Sequence, residues 1–245
     1  MRNNIRIFIE KDYAAASQKA CEIFIKKIKE YPEGSFGFAT GSTPLGMYKE
    51  LIKLSNESKI DMTKITAFNL DEYFPVRADD PQSYEYCMAA NLFDAVGLPK
   101  ESRNIPSGEA KDANEECRLY EEKITKSGGI KLQILGIGNN GHIGFNEPDS
   151  VFSREVSYVA LADDTIQANS RFFSSLDLVP KHAITMGIRT IMMAREILLI
   201  ATRKAKTEIL KEALYGPITP RVPASALQLH RNVNVVTDRE AGMLL

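Results

Sequence analysis

The stretch of the chain richest in chemically useful side chains is residues 136–148, Gly-Ile-Gly-Asn-Asn-Gly-His-Ile-Gly-Phe-Asn-Glu-Pro. It holds His142, one of only three histidines, with Asn140 two residues before it and Glu147 five residues after it. An imidazole held by an amide and a carboxylate can transfer protons near neutral pH. A lone histidine is more often structural, but a glycine-rich loop beside a carboxylate favours a functional role. One histidine and one carboxylate fall short of the usual three protein ligands, so we expect no metal here.

Two adjacent carboxylates, Asp71 and Glu72, follow an apolar segment at residues 65–70. One of them could serve as a general base. Neighbouring residues on an extended segment point to opposite sides, so at most one faces a pocket while the other faces solvent or a structural partner. Alone this signal is weak, because acidic residues after strands are commonly solvated or cap helices.

Residues 39–44, Ala-Thr-Gly-Ser-Thr-Pro, lead from another apolar segment into a helical pattern. Backbone N–H groups and hydroxyls at the positive end of a helix could bind a phosphate group. The loop matches neither the Walker A motif nor the dinucleotide-binding fingerprint. The alternative is a capped helix start, which needs only Thr43 as the cap and Pro44 as the first helical residue.

Apolar segments and helical patterns alternate along most of the chain, and this alternation must position the three loops. Strands are predicted at residues 5–9, 35–39, 65–70, 130–136, 156–161, 183–186, 196–201 and 233–237. Helices are predicted after Asp12, after Thr43 and at residues 83–96, 112–126 and 204–215. The pattern predicts a Rossmann-like α/β fold, a mostly parallel open sheet covered by helices on both faces. Such sheets bind ligands beyond the carboxyl ends of their strands, where the three loops lie.

The composition limits the classes of function. With 245 residues, 44% of them hydrophobic, the chain suits a single domain over residues 1–245. The 31 basic and 32 acidic residues nearly cancel, which argues against nucleic-acid or membrane partners. The first residues do not form a signal peptide and no apolar run could span a bilayer, so we expect a cytoplasmic protein. Three scattered cysteines indicate neither a disulfide framework nor a zinc site.

Taken in order, the three loops closely resemble segments of the glucosamine-6-phosphate deaminase family. The resemblance continues through residues 168–173, 179–181 and 226–230, and so spans nearly the whole chain. It implies hydrolytic deamination and isomerisation of glucosamine 6-phosphate to fructose 6-phosphate and ammonium in amino-sugar catabolism. It also implies that no metal or organic cofactor takes part.

The resemblance assigns the acid–base chemistry to residues of the second and third loops. His142 would open the sugar ring by proton transfer at the ring oxygen and the anomeric hydroxyl, oriented by Glu147 and Asn140. Asp71 would then move a proton from C2 to C1 through an enolamine-like intermediate.

The substrate's phosphate would rest on the first loop, at Gly41, Ser42 and Thr43. Arg171 and Lys206 would add charge-assisted hydrogen bonds to it. The spacing to Gly216 places Lys206 in this role, and Lys204 is its rival.

The sequence departs from the family pattern in two places. Asn140 stands where the best-known members carry an aspartate. Its amide can still orient the ring by hydrogen bonding, but it lacks the negative charge of an aspartate that would favour imidazolium. Ser157 and Val159 stand where allosteric hexamers carry basic residues, and the chain ends at Leu245 without their longer tail. We therefore expect a monomer or small homo-oligomer that N-acetylglucosamine 6-phosphate does not activate.

Two other functions fit parts of the pattern. The first loop also suits 6-phosphogluconolactonases, but these need no base for C2, and residues 70–73 and the Asn-Glu-Pro motif argue against them. A non-catalytic sugar-phosphate sensor would need a helix-turn-helix segment and a basic patch. The first predicted strand begins almost at Met1, which leaves no room for that segment.

Overall fold

A parallel sheet lies at the centre of the computed structural model, which describes residues 4–170, 173 and 175–245. Its strands in the described residues are β1 (Ile5–Glu10), β2 (Ser35–Phe38), β3 (Thr66–Asn69), β5 (Arg103–Asn104), β6 (Ile130–Leu135), β9 (Ile197–Ala201) and β10 (Val233–Asp238). They lie in the order β1-β10-β9-β6-β2-β3-β5. All five residues of β9 are buried. Since alternate residues of a strand point to opposite faces, the sheet is covered on both sides, which confirms the predicted fold class.

The five predicted helices are present, and two short helices, at Asp163–Asn169 and Ile188–Met192, were not predicted. The helices are α1 (Tyr13–Glu30), α2 (Leu45–Asn56), α3 (Tyr84–Met88), α4 (Ala113–Lys126), α5 (Asp163–Asn169), α6 (Ile188–Met192) and α7 (Thr207–Tyr215). In the described residues, a π-helical segment (Ala89–Phe93) and 3₁₀ segments at Lys100–Ser102, Leu176–Leu178, Lys204–Lys206 and Pro223–Leu229 join them. No helix in the described part of the chain has the length and apolar character needed to cross a membrane.

The start of α2 differs from the prediction. The helix begins at Leu45, one residue later than expected, and no side chain of its own loop caps it. Instead the hydroxyl of Tyr13, from the first turn of α1, accepts the Gly46 N–H at 2.8 Å. A residue distant in sequence thus supplies the cap that we assigned to Thr43, and local pattern cannot reveal such a partner.

A second, antiparallel sheet was not predicted. It consists of β4 (Asp71–Phe74), β7 (Ser157–Ala160) and β8 (His182–Thr185), in the order β4-β8-β7. We expected β7 and β8 in the parallel sheet and no strand at β4. Only Leu70 separates β3 from β4, and its N–H and carbonyl bond to Phe38 and Met186 respectively, each at 2.9 Å. Leu70 therefore links the two sheets.

The order of the parallel strands creates a crevice between β2 and β6. From β2 the chain moves outward to β3 and β5, whereas from β6 it moves the other way to β9 and β10. The loops after β2 and β6 therefore leave in opposite directions. Such a switch point is where open α/β sheets bind ligands.

Candidate active site

A cavity of about 790 Å³ opens at the carboxyl ends of the central strands. Most of the predicted site residues line it, namely Gly41, Ser42, Thr43, Asp71, Asn140, His142 and Lys206. Glu147 lies behind this lining and contacts His142, while Arg171 lies outside the described residues. Three loops that are far apart in sequence thus share one cavity.

His142 and Glu147 form a close pair at one side of the cavity. The imidazole Nδ1 is buried and lies 3.3 Å from Glu147 Oε2. Burial alone would raise the pKa of Glu147, but the imidazole and the hydrogen bonds from Thr165 and Asn140 outweigh it and lower that pKa below its usual value. Glu147 is therefore a carboxylate at neutral pH. A carboxylate beside Nδ1 favours a proton there, which leaves Nε2 as the ring nitrogen that can accept one.

Asn140 acts on the carboxylate and not on the ring. Its amide donates to Glu147 Oε2 at 2.8 Å, and its Oδ1 accepts the backbone N–H of His142 at 3.2 Å. Within the described residues, no hydrogen bond joins this amide to the imidazole. The structure thus corrects the expectation that Asn140 orients the ring directly, because the amide holds Glu147, which in turn faces the ring.

Two glycines shape the loop around His142. A Cβ atom added to Gly138 would lie 2.3 Å from the imidazole Cε1, so only a glycine lets the ring pack here. Gly141 has a φ of +86°, which side chains rarely allow, and its carbonyl accepts the Ala224 N–H at 2.9 Å. The loop's glycines therefore serve the placement of the histidine.

Asp71 and Glu72 point to opposite sides, as expected for neighbours on a strand. Asp71 lines the cavity, and among the described residues its carboxylate has no hydrogen-bond or ion-pair partner. Glu72 instead accepts backbone N–H groups of Tyr73, Tyr84 and Glu85 at 2.8 to 2.9 Å and so anchors the start of α3. Of the two carboxyls, only Asp71 is placed to meet a ligand.

The environment of Asp71 suits proton transfer. Burial, and secondarily the charge of Glu72, raise the pKa of Asp71 to about 8. Burial also raises the pKa of Glu72, although its three backbone donors act in the opposite direction. A carboxyl whose pKa is near the working pH can both take and return a proton.

The opposite side of the cavity is suited to an anion. The first loop contributes Ser42 and Thr43, whose carbonyls accept from the Tyr13 hydroxyl at 3.1 Å. Lys206 reaches the same wall, where its Nζ donates to Asn139 Oδ1 at 2.6 Å. Lys204 is exposed and does not line the cavity, so the geometry favours Lys206 of the two rivals.

The sequence did not indicate several of the residues that line the cavity. Tyr84 stacks on Phe145 with ring centroids 6.1 Å apart, beside Asp71. The Thr165 hydroxyl donates to Glu147 Oε1, and Arg203 lies at the rim. The spacing of these residues carries no signal, since each comes from an element that long-range packing brings to the cavity.

No group of three or more histidine, cysteine, aspartate or glutamate side chains suited to hold a metal ion is present within residues 4–170, 173 and 175–245.

Comparison with known proteins identifies similar chains. The model of a family described as glucosamine-6-phosphate isomerases/6-phosphogluconolactonase matches residues 11–236. A glucosamine-6-phosphate deaminase of Thermoanaerobacter sp. (strain X514) is 50% identical over 98% of this chain and 95% of its own length. One of Clostridium botulinum (strain Kyoto / Type A2) is 47% identical over 98% and 99%.

Solved structures of similar proteins have the same fold as this chain. That of a monomeric glucosamine-6-phosphate deaminase, 43% identical, superposes with a TM-score of 0.95 over 98% of this chain and 100% of its own. The 6-phosphogluconolactonase from Trypanosoma cruzi, 21% identical, gives a TM-score of 0.77 over 100% of this chain and 98% of its own, which shows a shared fold alone.

Proposed function

The chain belongs to the family of glucosamine-6-phosphate isomerases and 6-phosphogluconolactonases, and from this premise we propose that it is a glucosamine-6-phosphate deaminase. It converts glucosamine 6-phosphate and water to fructose 6-phosphate and ammonium. The observation that carries this proposal is that one cavity brings together the His142–Glu147 pair and the buried carboxyl of Asp71, which has no hydrogen-bond or ion-pair partner among the described residues. Two separate proton-transfer groups suit a reaction that opens a ring and then moves a proton between carbons.

His142 opens the sugar ring. Its Nε2 accepts the proton of the anomeric hydroxyl and delivers a proton to the ring oxygen, which gives the open-chain aldehyde. The imidazolium formed in between is stabilised by Glu147, whose carboxylate lies 3.3 Å from Nδ1. Asn140 and Thr165 hold that carboxylate in place.

Asp71 carries out the isomerisation. The C2 proton of the aldehyde is acidic because it is α to a carbonyl group. The Asp71 carboxylate removes it while the carbonyl oxygen takes up the proton that the substrate's ammonium group gives up, and an enolamine forms. Return of the proton to C1 leaves an imine at C2, which water hydrolyses to the ketose and ammonia. The positive amino group of the substrate favours the ionised form of the neighbouring carboxyl, which offsets its raised pKa.

The phosphate group binds at the opposite side, on Gly41, Ser42 and Thr43 with Lys206. Arg171, which the sequence resemblance also assigns to the phosphate, is a further phosphate ligand in this proposal. Binding the phosphate away from the reacting carbons fixes the position of C1 and C2.

We also propose that the enzyme is a monomer or a small homo-oligomer without activation by N-acetylglucosamine 6-phosphate. A relative 43% identical is described as monomeric, which supports this. Chromatographic mass and the kinetics with and without that compound test it. Sigmoidal kinetics relieved by the compound would contradict it.

The function is tested by supplying glucosamine 6-phosphate and measuring ammonium and fructose 6-phosphate in coupled assays. We expect both products in equal amounts. 6-Phosphogluconolactone serves as the second substrate in the same experiment, and its hydrolysis without ammonium release from the amino sugar would overturn the proposal.

A further inference from the structure

Arg203 has a backbone conformation that side chains rarely adopt. It lies just beyond β9, at the rim of the cavity, with φ +79° and ψ 147°. This region of conformational space is used almost only by glycine, so an arginine there is strained. Strain of this kind persists where the surrounding structure enforces it, and it is found mostly at functional sites.

The enforcing contact comes from Asp238, at the end of β10. One oxygen of this buried carboxylate accepts the Arg203 N–H at 2.9 Å, and the other accepts the Ala241 N–H at 2.8 Å. The next residue is held as well, since the Lys204 N–H donates to Glu240 Oε2 at 3.2 Å. The turn is therefore fixed from the neighbouring strand.

The guanidinium of Arg203 is exposed and has no hydrogen-bond or ion-pair partner in the described part of the chain. Other arginines such as Arg6, Arg103 and Arg189 do form ion pairs. The 3₁₀ turn Lys204–Lys206 that follows has three residues per turn, so positions 203 and 206 lie on the same side of it. Both residues line the cavity.

We propose that Arg203 is a substrate-binding residue that contacts the phosphate group from the rim of the cavity, as a second cation beside Lys206. The inference rests on the proposed function, since it assigns a ligand to the same cavity. A phosphate dianion is matched by the planar fork of an arginine, which can donate two parallel hydrogen bonds. The strained backbone and the Asp238 contact fix the point from which the side chain extends.

The test uses four variants of the full chain. Arg203→Gly removes the side chain and relieves the strain, while Arg203→Lys keeps the charge but loses the fork. Lys204→Ala is the charge-matched control, because Lys204 is exposed and does not line the cavity. Ser58→Gly is the control for introducing a glycine at a positive φ, since Ser58 has a φ of +55° and lies outside the cavity lining.

Calorimetry measures the Kd of inorganic phosphate and, with Asp71→Asn added to each variant to block turnover, the Kd of glucosamine 6-phosphate. Steady-state kinetics without that substitution measures KM and kcat. We expect Arg203→Gly to raise both Kd values and KM about tenfold or more and to leave kcat within about twofold of its original value. The reason is that a charge-assisted contact made equally in the bound substrate and in the transition state contributes to binding and not to kcat. Arg203→Lys should fall in between. Both glycine variants should melt at a higher temperature, and neither control should change Kd.

Unchanged Kd values in Arg203→Gly would overturn the inference, and so would an equal loss in Lys204→Ala, which would indicate a long-range effect of charge. These outcomes are distinct from failure of the proposed function. That failure would appear as absence of ammonium from the unsubstituted chain, while phosphate binding would still report on Arg203.

Discussion

Two buried carboxylates lie at opposite ends of the parallel sheet and differ in their surroundings. At the amino end, just before β9, Glu196 has ion pairs with Arg6 at 3.0 Å and Lys27 at 2.8 Å, and it accepts the Asn234 amide at 2.6 Å. At the carboxyl end, Asp71 is equally buried but has no such partner in the described residues. Both side chains are less than one-tenth exposed.

The difference separates stability from function. A buried carboxylate that is paired and hydrogen-bonded is satisfied, and removing it leaves its partners uncompensated. A buried carboxyl without partners costs free energy when it ionises, and this cost appears as a raised pKa. The amino end of the sheet therefore stabilises the fold, while the carboxyl end retains an unfavourable group that the proposed chemistry requires.

The largest effect is expected from Asp71→Asn. The amide preserves the shape of the side chain but cannot accept the C2 proton, so we expect kcat to fall by about 10³-fold or more while substrate binding persists. The variant should also be more stable, because it removes a poorly solvated acid. Coupled product assays, calorimetry and thermal melting measure the three quantities.

Glu72→Gln is the control for that variant. Glu72 faces the start of α3, so its replacement should lower the free energy of unfolding and have little effect on kcat. If Asp71→Asn kept a substantial kcat while Glu72→Gln lost most of its kcat, the general base would be Glu72 and not Asp71.

The second effect falls on stability. Glu196→Ala leaves Arg6 and Lys27 without their buried partner, and we expect the free energy of unfolding to drop by about 3 kcal/mol, with kcat of the folded enzyme unchanged. Urea denaturation measures the loss. Arg189→Ala breaks the exposed pair with Glu155 and should cost less than about 1 kcal/mol. Equal losses in the two variants would refute the contrast between the ends of the sheet.

The third prediction concerns pH. The carboxyl of Asp71 has an ordinary pKa of 3.8, and burial raises its pKa in the fold to about 8. Between these values the folded chain holds a proton that the unfolded chain releases, so the Asp71 contribution to stability is greatest below pH 4 and is lost as the pH rises to about 8. Asp71→Asn should remove this decline. Melting temperatures of both proteins from pH 5 to 8 should therefore diverge with rising pH, and parallel curves would contradict the assignment.

The sequence predicted what depends on local pattern. The strands of the parallel sheet other than the two-residue β5, the helix start at Asp12, and the position of the three loops directly after strands follow from apolar periodicity and short-range spacing. The antiparallel sheet, the Tyr13 cap and the contact from Thr165 to Glu147 depend on segments that meet only in the fold. Pairing between distant segments leaves little trace in the residues of either one.

The smallest effect is expected from Asn140→Asp, which tests how one amide at the carboxyl end of the sheet acts on the His142–Glu147 pair. The Asn140 amide donates to Glu147 Oε2 at 2.8 Å, so the substitution would bring a second carboxylate within hydrogen-bond distance of the first. Two like charges at that distance bind a proton more tightly, and together they favour imidazolium. We expect kcat to change less than about tenfold and the acidic limb of the kcat/KM profile to move to higher pH by about one unit. Asn139→Asp is the matched control, because that amide contacts Lys206 and should alter KM without moving the limb. A pH profile unchanged by Asn140→Asp would show that Asn140 does not act on the His142–Glu147 pair.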